Sequence, residues 1–259
     1  MNAVADHCRV GTDDELVIRW PAPVPDGTRI VLRHGASGDS RAEPLTGDRL
    51  SVTLPLAGLS PGAWEVLVEA GSIGRPLLTD DPGFSHDGLR AYAALARDRA
   101  ARVVRLPDGR VTLEVHEVVP HAEVEAVHPG GGDIGIVGRL AYAGPQPGEK
   151  ARLLAVARKR EGAVTWDVRL DGTEFEARLD VRAFAAWEPA LWDLWLDVGE
   201  TVHARLATRL DDAPGKRGTL SYPRQVTASA DREMTVRPYY TLDDELSIAC
   251  HLVPEDTGS

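Results

Sequence analysis

Two ten-residue stretches, "GAWEVLVEAG" (62–71) and "ALWDLWLDVG" (190–199), align without a gap and decide the fold. Trp64 falls on Trp192 and Gly71 on Gly199, an offset of 128 residues. Apolar and acidic residues alternate in each stretch, as is typical of a β-strand with one side toward a core. The sequence therefore contains the same buried strand twice.

Similar strand patterns surround both copies and repeat in the same order. Before each copy come short runs rich in β-branched residues, separated by Gly, Pro and Asp: "ELVIRW" (15–20), "RIVLRH" (29–34), "IGIVGRLAY" (134–142) and "ARLLAVARKR" (151–160). After each copy comes a hairpin pattern, "VVRLPDGRVTLEVHEV" (103–118) and "VRPYYTLDDELSIACHL" (236–252), in which Arg105 falls on Arg237 and His116 on His251. Many short strands with regular turn signals indicate an all-β protein built from one β-sandwich unit used twice.

One segment breaks the strand pattern. In "FSHDGLRAYAALARDRAAR" (84–102), Leu89, Tyr92 and Leu95 recur at helical spacing. Ser85 or Asp87 is suited to capping the start. We expect one α-helix, at about 86–101, inserted in the first half.

The glycine run 130–132 marks the expected boundary between the halves. We predict a first β-sandwich domain over residues 1–120, a linker over 121–132 and a second β-sandwich domain over 133–259.

Composition excludes some partners. The net charge is -11 and the pI is about 5.2, so we expect no nucleic acid and no anionic membrane as partner. The apolar runs are far shorter than a membrane span, which predicts no membrane insertion. The first residues lack the pattern of a signal peptide, so we expect a cytoplasmic protein that reaches the inner face of the membrane only through a partner. The two cysteines, Cys8 and Cys250, are expected as buried thiols.

Three phrases carry a resemblance to a known family: "LSVTLPLAGLSPGAWEVLVEAG" (50–71), "ARVVRLPDGRVTLEV" (101–115) and "VRPYYTLDDELSIAC" (236–250). They resemble the immunoglobulin-like C-terminal accessory domains of bacterial family-2 and teichoic-acid-type wall-polymer glycosyltransferases, in which a Gly-x-Trp strand precedes an Arg-Pro-Tyr-x-Thr hairpin. The first half departs from that pattern, with Leu106-Pro107-Asp108 where the second has Pro238-Tyr239-Tyr240.

The resemblance implies two tandem immunoglobulin-like β-sandwich domains without the catalytic nucleotide-sugar domain. No Asp-x-Asp motif follows a strand–helix pattern, and no glycine-rich strand-to-helix turn is present. It also implies a non-catalytic accessory or scaffold role in cell-wall polymer or polysaccharide glycosyltransfer. The expected partner is a glycosyltransferase or another wall-polymer enzyme, with self-association and weak glycan binding as further contacts.

The second Trp strand holds the main candidate for binding. Trp192, Leu194, Leu196 and Val198 share the core side, which leaves Trp195 on the other side between Asp193 and Asp197. An indole between two carboxylates suits stacking on a sugar ring, with the carboxylates accepting hydroxyl hydrogen bonds. The alternative is that a loop or the other domain covers Trp195, and a buried Trp195 would exclude the glycan site.

The last hairpin adds two candidates. Tyr239 and Tyr240 must point to opposite sides of their strand, and Arg237 shares the side of Tyr239. We assign Arg237 and Tyr239 to a glycan- or partner-binding surface. The alternative is a structural tyrosine at a sandwich corner.

Other polar clusters have simpler explanations. The eight histidines match no compact metal-binding spacing, and the Asp, Ser and His residues of 80–87 are suited to a turn and a helix cap. We predict no catalytic residues, no metal and no cofactor. Two alternatives remain, a small all-β enzyme of isomerase, cyclase or hydratase type with an apolar pocket between its domains, and a simple carbohydrate-binding protein.

Overall fold

The computed structural model describes residues 4–71, 73–211, 213–229 and 232–253. Contacts between residues divide the chain into two compact units. Unit 1 comprises residues 1–92 and 97–119, and unit 2 comprises residues 93–96 and 120–259. Apart from one α-helix and one short 3₁₀-helix, the regular structure of the described residues is β-strand, which confirms the all-β prediction.

Unit 1 consists of two main sheets around a shared core. Its elements are β1 (Val4–Ala5), β2 (His7–Val10), β3 (Glu15–Arg19), β4 (Thr28–His34), β5 (Ser40–Pro44), β6 (Ser51–Pro55), β7 (Gly62–Ala70), β8 (Ile73–Pro76), β9 (Leu78–Thr79), α1 (His86–Ala93), β10 (Arg99–Arg105) and β11 (Val111–Glu117). One sheet has the order β10-β11-β7-β4-β5, with β8 also on β7, and the other has the order β2-β3-β6. Ile18, Leu32 and Trp64 are among the residues of both sheets that meet in one apolar core.

The inserted helix is shorter than predicted. Ser85 caps α1, since its hydroxyl accepts a hydrogen bond from the Gly88 N–H at 3.1 Å, but the helix ends at Ala93 rather than near 101. Residues 99–101 belong to β10, whose ladder with β11 begins at Arg99 opposite Glu117. After Ala93, the residues at helical spacing no longer lie on a buried side of the chain, and Leu95 is exposed. Pairing with β11 therefore prevails over local helix propensity.

A buried carboxylate joins β2 to the chain that follows β9. Asp81 accepts hydrogen bonds from the backbone N–H groups of Cys8 (3.1 Å) and Gly83 (2.9 Å) and from Arg9 Nε (2.9 Å). Burial alone would raise the pKa of this carboxyl, but these hydrogen bonds hold the pKa below its usual range.

A second contact attaches the end of α1 to the loop before β3. The Tyr92 hydroxyl donates to Asp14 Oδ1 at 2.6 Å and accepts from the Ala101 N–H at 3.1 Å. The Arg97 guanidinium pairs with Asp14 and lies 3.8 Å from the centre of the Tyr92 ring. The position of α1 therefore depends on tertiary hydrogen bonds more than on helix length.

Unit 2 is built around a single large sheet. Its elements are β12 (His121–Gly130), β13 (Asp133–Ala141), β14 (Ala151–Ala157), β15 (Ala163–Asp171), β16 (Glu174–Asp180), the 3₁₀-helix η1 (Val181–Phe184), β17 (Leu191–Val198), β18 (Val202–Ala207), β19 (Gln225–Ser229), β20 (Arg232–Tyr240) and β21 (Leu246–Leu252). Seven strands close into a ring in the order β14-β15-β16-β13-β12-β18-β17, because β17 also pairs with β14. The hairpin of β20 and β21 extends from β17, with β19 at its edge.

Two short pairings make unit 2 a closed ring where the sequence predicts a two-sheet sandwich. Three residue pairs join β15 to β16, and three join β12 to β18. These pairings join what would otherwise be the edges of two separate sheets. A closed sheet has fewer exposed edges than an open sandwich.

The segment predicted as a linker, 121–132, is instead largely the strand β12. Its first four residues, from His121 to Val124, are all buried, and a register shift between Val124 and Ala126 interrupts the ladder with β13. The bulge breaks the alternation by which a strand is recognised in a sequence. The glycine run instead forms the turn into β13.

The two Trp strands hold equivalent places in the two units. Trp64 lies opposite Leu113 of β11, and Trp192 lies opposite Ile248 of β21. The strand order β10-β11-β7-β4-β5 matches β20-β21-β17-β14-β15. Within the hairpins Arg237 lies opposite Ala249, as Arg102 lies opposite Glu114, so Arg102 rather than Arg105 is its counterpart.

No helix among the described residues combines the length and the apolar character that a membrane span requires.

Candidate functional site

The five residues that the sequence predicts as a binding surface lie on the outward side of one sheet. Trp192, Leu194, Leu196 and Val198 are fully buried in the core of unit 2, whereas Asp193, Trp195 and Asp197 alternate with them and are half-buried. Tyr239 lies opposite Ser247 of β21, and Ser247 lies opposite Asp193, so Tyr239 and Asp193 share one row of the sheet. We call the surface of Asp193, Trp195, Asp197, Arg237 and Tyr239 the β17 face.

The Trp195 ring is held by two residues of β18. The His203 ring stacks on it with a centroid distance of 4.3 Å and an interplanar angle of 9°. The Arg205 guanidinium lies 5.5 Å from the centre of the indole. Trp195 therefore lies between full exposure and burial, and its orientation is fixed before any ligand binds.

The two carboxylates beside Trp195 each use one oxygen within the protein. Asp193 Oδ1 accepts from Arg158 Nε (2.8 Å), Arg205 Nη2 (2.8 Å) and Ser247 Oγ (3.3 Å). Asp197 Oδ1 lies 2.5 Å from His203 Nδ1. Among the described residues the other oxygen of each carboxylate, Oδ2, has no hydrogen-bond partner, so each can still accept a bond from outside.

The environment of Asp193 keeps it ionised. Burial would raise the pKa of this carboxyl, but the hydrogen bond from Arg158 and the positive charge of Arg205 outweigh burial and hold the pKa below its usual range. Asp193 is therefore a fixed negative charge between two guanidinium groups at neutral pH.

Arg205 lies where β17 changes its neighbour. The ladder of β17 with β21 ends at Asp193, and its ladder with β18 begins at Trp195; we call this point the β17 fork. Beyond the end of the first ladder, Arg205 Nη1 donates to the carbonyl oxygens of Leu194 (2.5 Å) and Leu246 (3.1 Å). The side chain of Arg205 is only 7% exposed, and its Nε pairs with Glu245 at 3.1 Å. Arg205 thus satisfies backbone groups that the divergence of the strands would leave unpaired.

Unlike Asp193 and Asp197, the side chains of Tyr239 and Arg237 make no hydrogen bond within the described residues. Tyr240, on the opposite side of β20, is buried in the core, as expected from strand alternation. The Tyr239 hydroxyl oxygen is buried and has no hydrogen-bond partner among the described residues. Arg237 is half-buried and is likewise without one among the described residues.

The sequence analysis missed four residues of the site: Arg158, His203, Arg205 and Ser247. Each contacts the β17 face from another strand or loop, at a position set by sheet register. The alternation of "VHARLA" (202–207) is a usable signal, since it puts His203 and Arg205 on one side of a strand.

Other surface features are separate from this face. Shallow hollows of about 340 Å³ beside Gly62 and His116, about 270 Å³ beside His128 and Glu176, and about 240 Å³ beside Arg169 and Glu174 lie within single units. No group of three or more His, Cys, Asp or Glu side chains among the described residues is placed to hold a metal ion.

The sequence matches no protein-family model and no curated protein. Solved structures with some likeness include S. aureus TarS, a wall teichoic acid glycosyltransferase, at 11% identity and a TM-score of 0.42, covering 64% of this chain and 33% of that one. The segment 217–571 of TarS is 12% identical with the same TM-score and covers 62% of this chain and 48% of its own. A two-domain fibronectin type III segment of chicken tenascin is 13% identical, at a TM-score of 0.24, and covers 78% of this chain and 94% of its own.

The chain spans between a third and a half of the TarS chains it matches. All these TM-scores are below 0.5, so none of the matches establishes a common fold or a common function.

Proposed function

We propose that the chain is a non-catalytic accessory and scaffold module for cell-wall polymer or polysaccharide glycosyltransfer. Its two units are immunoglobulin-like accessory domains, and its partner is a glycosyltransferase or another wall-polymer enzyme at the inner face of the membrane. The module binds that partner through the β17 face, adds weak glycan contact there, and associates with itself. The observation that supports this most is the half-buried Trp195, which stacks on His203 and lies near the Arg205 guanidinium.

The composition of the β17 face suits protein–protein contact. Trp, Tyr and Arg are the residues that most often dominate the binding energy of protein interfaces. Trp195, Tyr239 and Arg237 are half-buried on one sheet surface rather than spread over loops. Because stacking on His203 already restricts the Trp195 ring, less side-chain entropy is lost when a partner covers it.

Glycan contact would be weak for a geometric reason. His203 covers one face of the Trp195 indole, which leaves less aromatic surface for a sugar ring. Asp193 and Asp197 each have one oxygen, Oδ2, that can accept a sugar hydroxyl. We therefore assign the larger share of binding to a protein partner and the smaller to glycan.

Affinity capture from a lysate of the protein's own host, read by mass spectrometry, tests this function. The baits are the tagged full chain, its Trp195→Ala variant and a control variant, Arg224→Ala, which changes an exposed loop residue of the same unit. We expect a polymer-forming glycosyltransferase to be enriched by the wild type and by Arg224→Ala, and to be lost with Trp195→Ala. Circular dichroism of each bait establishes that it is folded. A wild-type bait that enriches no such enzyme, or equal capture by Trp195→Ala, contradicts the proposal.

A further inference from the structure

Arg237 is the exception among the partly buried cations of this protein. Within residues 4–71, 73–211, 213–229 and 232–253, every other partly or fully buried Arg or Lys contacts a carboxylate or a backbone carbonyl, as Arg139 contacts Glu125 and Arg232 contacts Glu188. Arg237 has neither. A guanidinium on a partly buried side chain that has no acceptor within the fold can donate its hydrogen bonds to a group from outside the chain.

The hydroxyl of Tyr239 is a second unmatched group, two residues along the same side of β20. Its oxygen is buried and unpaired within the described residues. A phenol O–H can donate one hydrogen bond to an anion, whereas a phenylalanine would fill the same space without the unmet polar atom. Arg237 and Tyr239 therefore put two donors that lack an acceptor among the described residues two positions apart on the same side of β20.

Arg158 brings a second positive charge to the same place. Its Nε and Nη2 donate to Asp193, and its Nη2 also contacts the Ser247 hydroxyl at 3.2 Å. Ser247 lies directly opposite Tyr239 in the ladder of β20 and β21. Nη1 of Arg158 has no partner among the described residues, so the guanidinium keeps a donor free while Asp193 holds it in place.

We propose that Arg237, Tyr239 and Arg158 bind one oxyanion, a phosphate or a carboxylate, carried by the ligand of the β17 face. The inference rests on the proposed function, because it names the chemistry of the group that this face takes. Arginine and phenol donors in a partly buried setting form the stronger, charge-assisted kind of hydrogen bond with such oxygens. Because the net charge of -11 repels anions at long range, anion binding by this protein has to come from local cations such as Arg237 and Arg158.

The first test titrates the full chain with inorganic phosphate and with sodium acetate and follows the arginine Nε–Hε signals by NMR. Sodium chloride at matched ionic strength corrects for salt. We expect the Arg237 signal to shift and saturate while that of Arg224, exposed and unpartnered among the described residues, stays in place. If phosphate saturates the Arg237 shift at a lower concentration than acetate, the site prefers phosphate, and the reverse order indicates a carboxylate site. Equal shifts at Arg237 and Arg224, or none at either, overturn the inference.

Three variants separate binding from folding. Arg237→Gln removes the charge and keeps much of the size, and Arg224→Gln is its match outside the site. Arg237→Gln should weaken anion binding about tenfold or more, as for the loss of a charged hydrogen bond, and Arg224→Gln by less than about threefold. Tyr239→Phe should weaken anion binding without lowering the thermal midpoint of the free protein, because the hydroxyl makes no bond there. A structural role alone would move the midpoint and leave the affinity unchanged.

Polymer probes distinguish this inference from the proposed function. We expect poly(glycerol phosphate) or polygalacturonate to bind and uncharged dextran not to bind. Dextran binding that depends on Trp195 but not on Arg237 overturns the oxyanion site and leaves a glycan-binding face. Glycosyltransferase capture that persists in Arg237→Gln, with no anion binding by the wild type, also overturns the site while the accessory role stands. Anion binding that is lost in Arg237→Gln, with no enzyme captured, supports the site and removes the accessory role.

Discussion

Replacing Arg205 with methionine tests the most specific structural assignment in unit 2. Methionine retains a long apolar side chain, so the substitution removes the charge and the donors without leaving a large cavity. It separates Asp193 and Glu245 from their shared buried cation. It also leaves the Leu194 and Leu246 carbonyls at the β17 fork without the donor that now reaches them.

The expected loss follows from those contacts. Removing one partner of a buried ion pair costs about 3–5 kcal/mol. Asp193 is 28% exposed on its side chain and keeps Arg158, so water and that second arginine relieve part of the penalty. An unpaired buried carbonyl adds about 1–3 kcal/mol unless water reaches it. We therefore expect the free energy of unfolding of unit 2 to fall by about 3 kcal/mol.

Urea unfolding followed by tryptophan fluorescence measures this loss. Trp166, Trp187, Trp192 and Trp195 all lie in unit 2, so the signal reports mainly on that unit. The curves are fitted with a separate transition for each unit, because a chain of two compact units need not unfold in one step. With a slope of about 2–3 kcal/mol per molar urea, the midpoint should fall by about 1–1.5 M.

Arg152→Met is the matched control. Arg152 is an exposed arginine on β14, beside β17, and it has no partner among the described residues. Its replacement should change stability by no more than about 0.5 kcal/mol. A loss below about 1 kcal/mol for Arg205→Met, or equal losses for the two variants, would refute the role assigned to Arg205 at the β17 fork.

Three further predictions concern buried polar groups. Tyr92→Phe removes the hydrogen bond to Asp14 and should lower the stability of unit 1 by about 1–2 kcal/mol in the same urea experiment; a neutral result would show that this bond does not hold α1. The folded-state pKa of Asp81 is lowered, so the carboxylate stabilises the fold above the unfolded-state pKa of about 3.9, and this contribution is lost as the pH falls through the folded-state pKa. Asp81→Asn should therefore flatten the acid limb of a curve of unfolding free energy against pH, and an unchanged limb would contradict this assignment. Burial raises the pKa of Cys8 and of Cys250 to about 12, so Ellman's reagent should titrate both thiols in urea and neither in the native protein.

Strand alternation carries most of the information that the sequence holds about this fold. It places Trp192 in the core and Trp195 outside, and it puts Tyr239 and Tyr240 on opposite sides of β20, as the structure has them. It fails at β12, where the bulge after Val124 hides the strand. It also fails near residue 100, where pairing with β11 overrides a helical pattern. Both failures arise from long-range pairing, which local periodicity does not encode.

The candidate site shows the same division. Trp195 and its two carboxylates are visible in one strand, because alternation assigns them to one side. The His203 stack and the Arg205 contacts depend on the register between β17 and β18, and Arg158 reaches Asp193 from beyond the end of β14. Register is set by the whole sheet, so these neighbours can be identified only once the strand order is known.

Site-specific photo-crosslinking tests the central claim, that the β17 face is the surface of an accessory module that binds its partner enzyme. The full chain is produced in its own host with benzoylphenylalanine at position 152, beside Asp197 on this face, or at position 224, on an exposed loop of the same unit. After irradiation, we predict that position 152 forms a covalent adduct with a polymer-forming glycosyltransferase and that position 224 does not. Adducts with that enzyme from both positions, or from position 224 alone, would place the contact elsewhere, and the absence of any such adduct would contradict the accessory role itself.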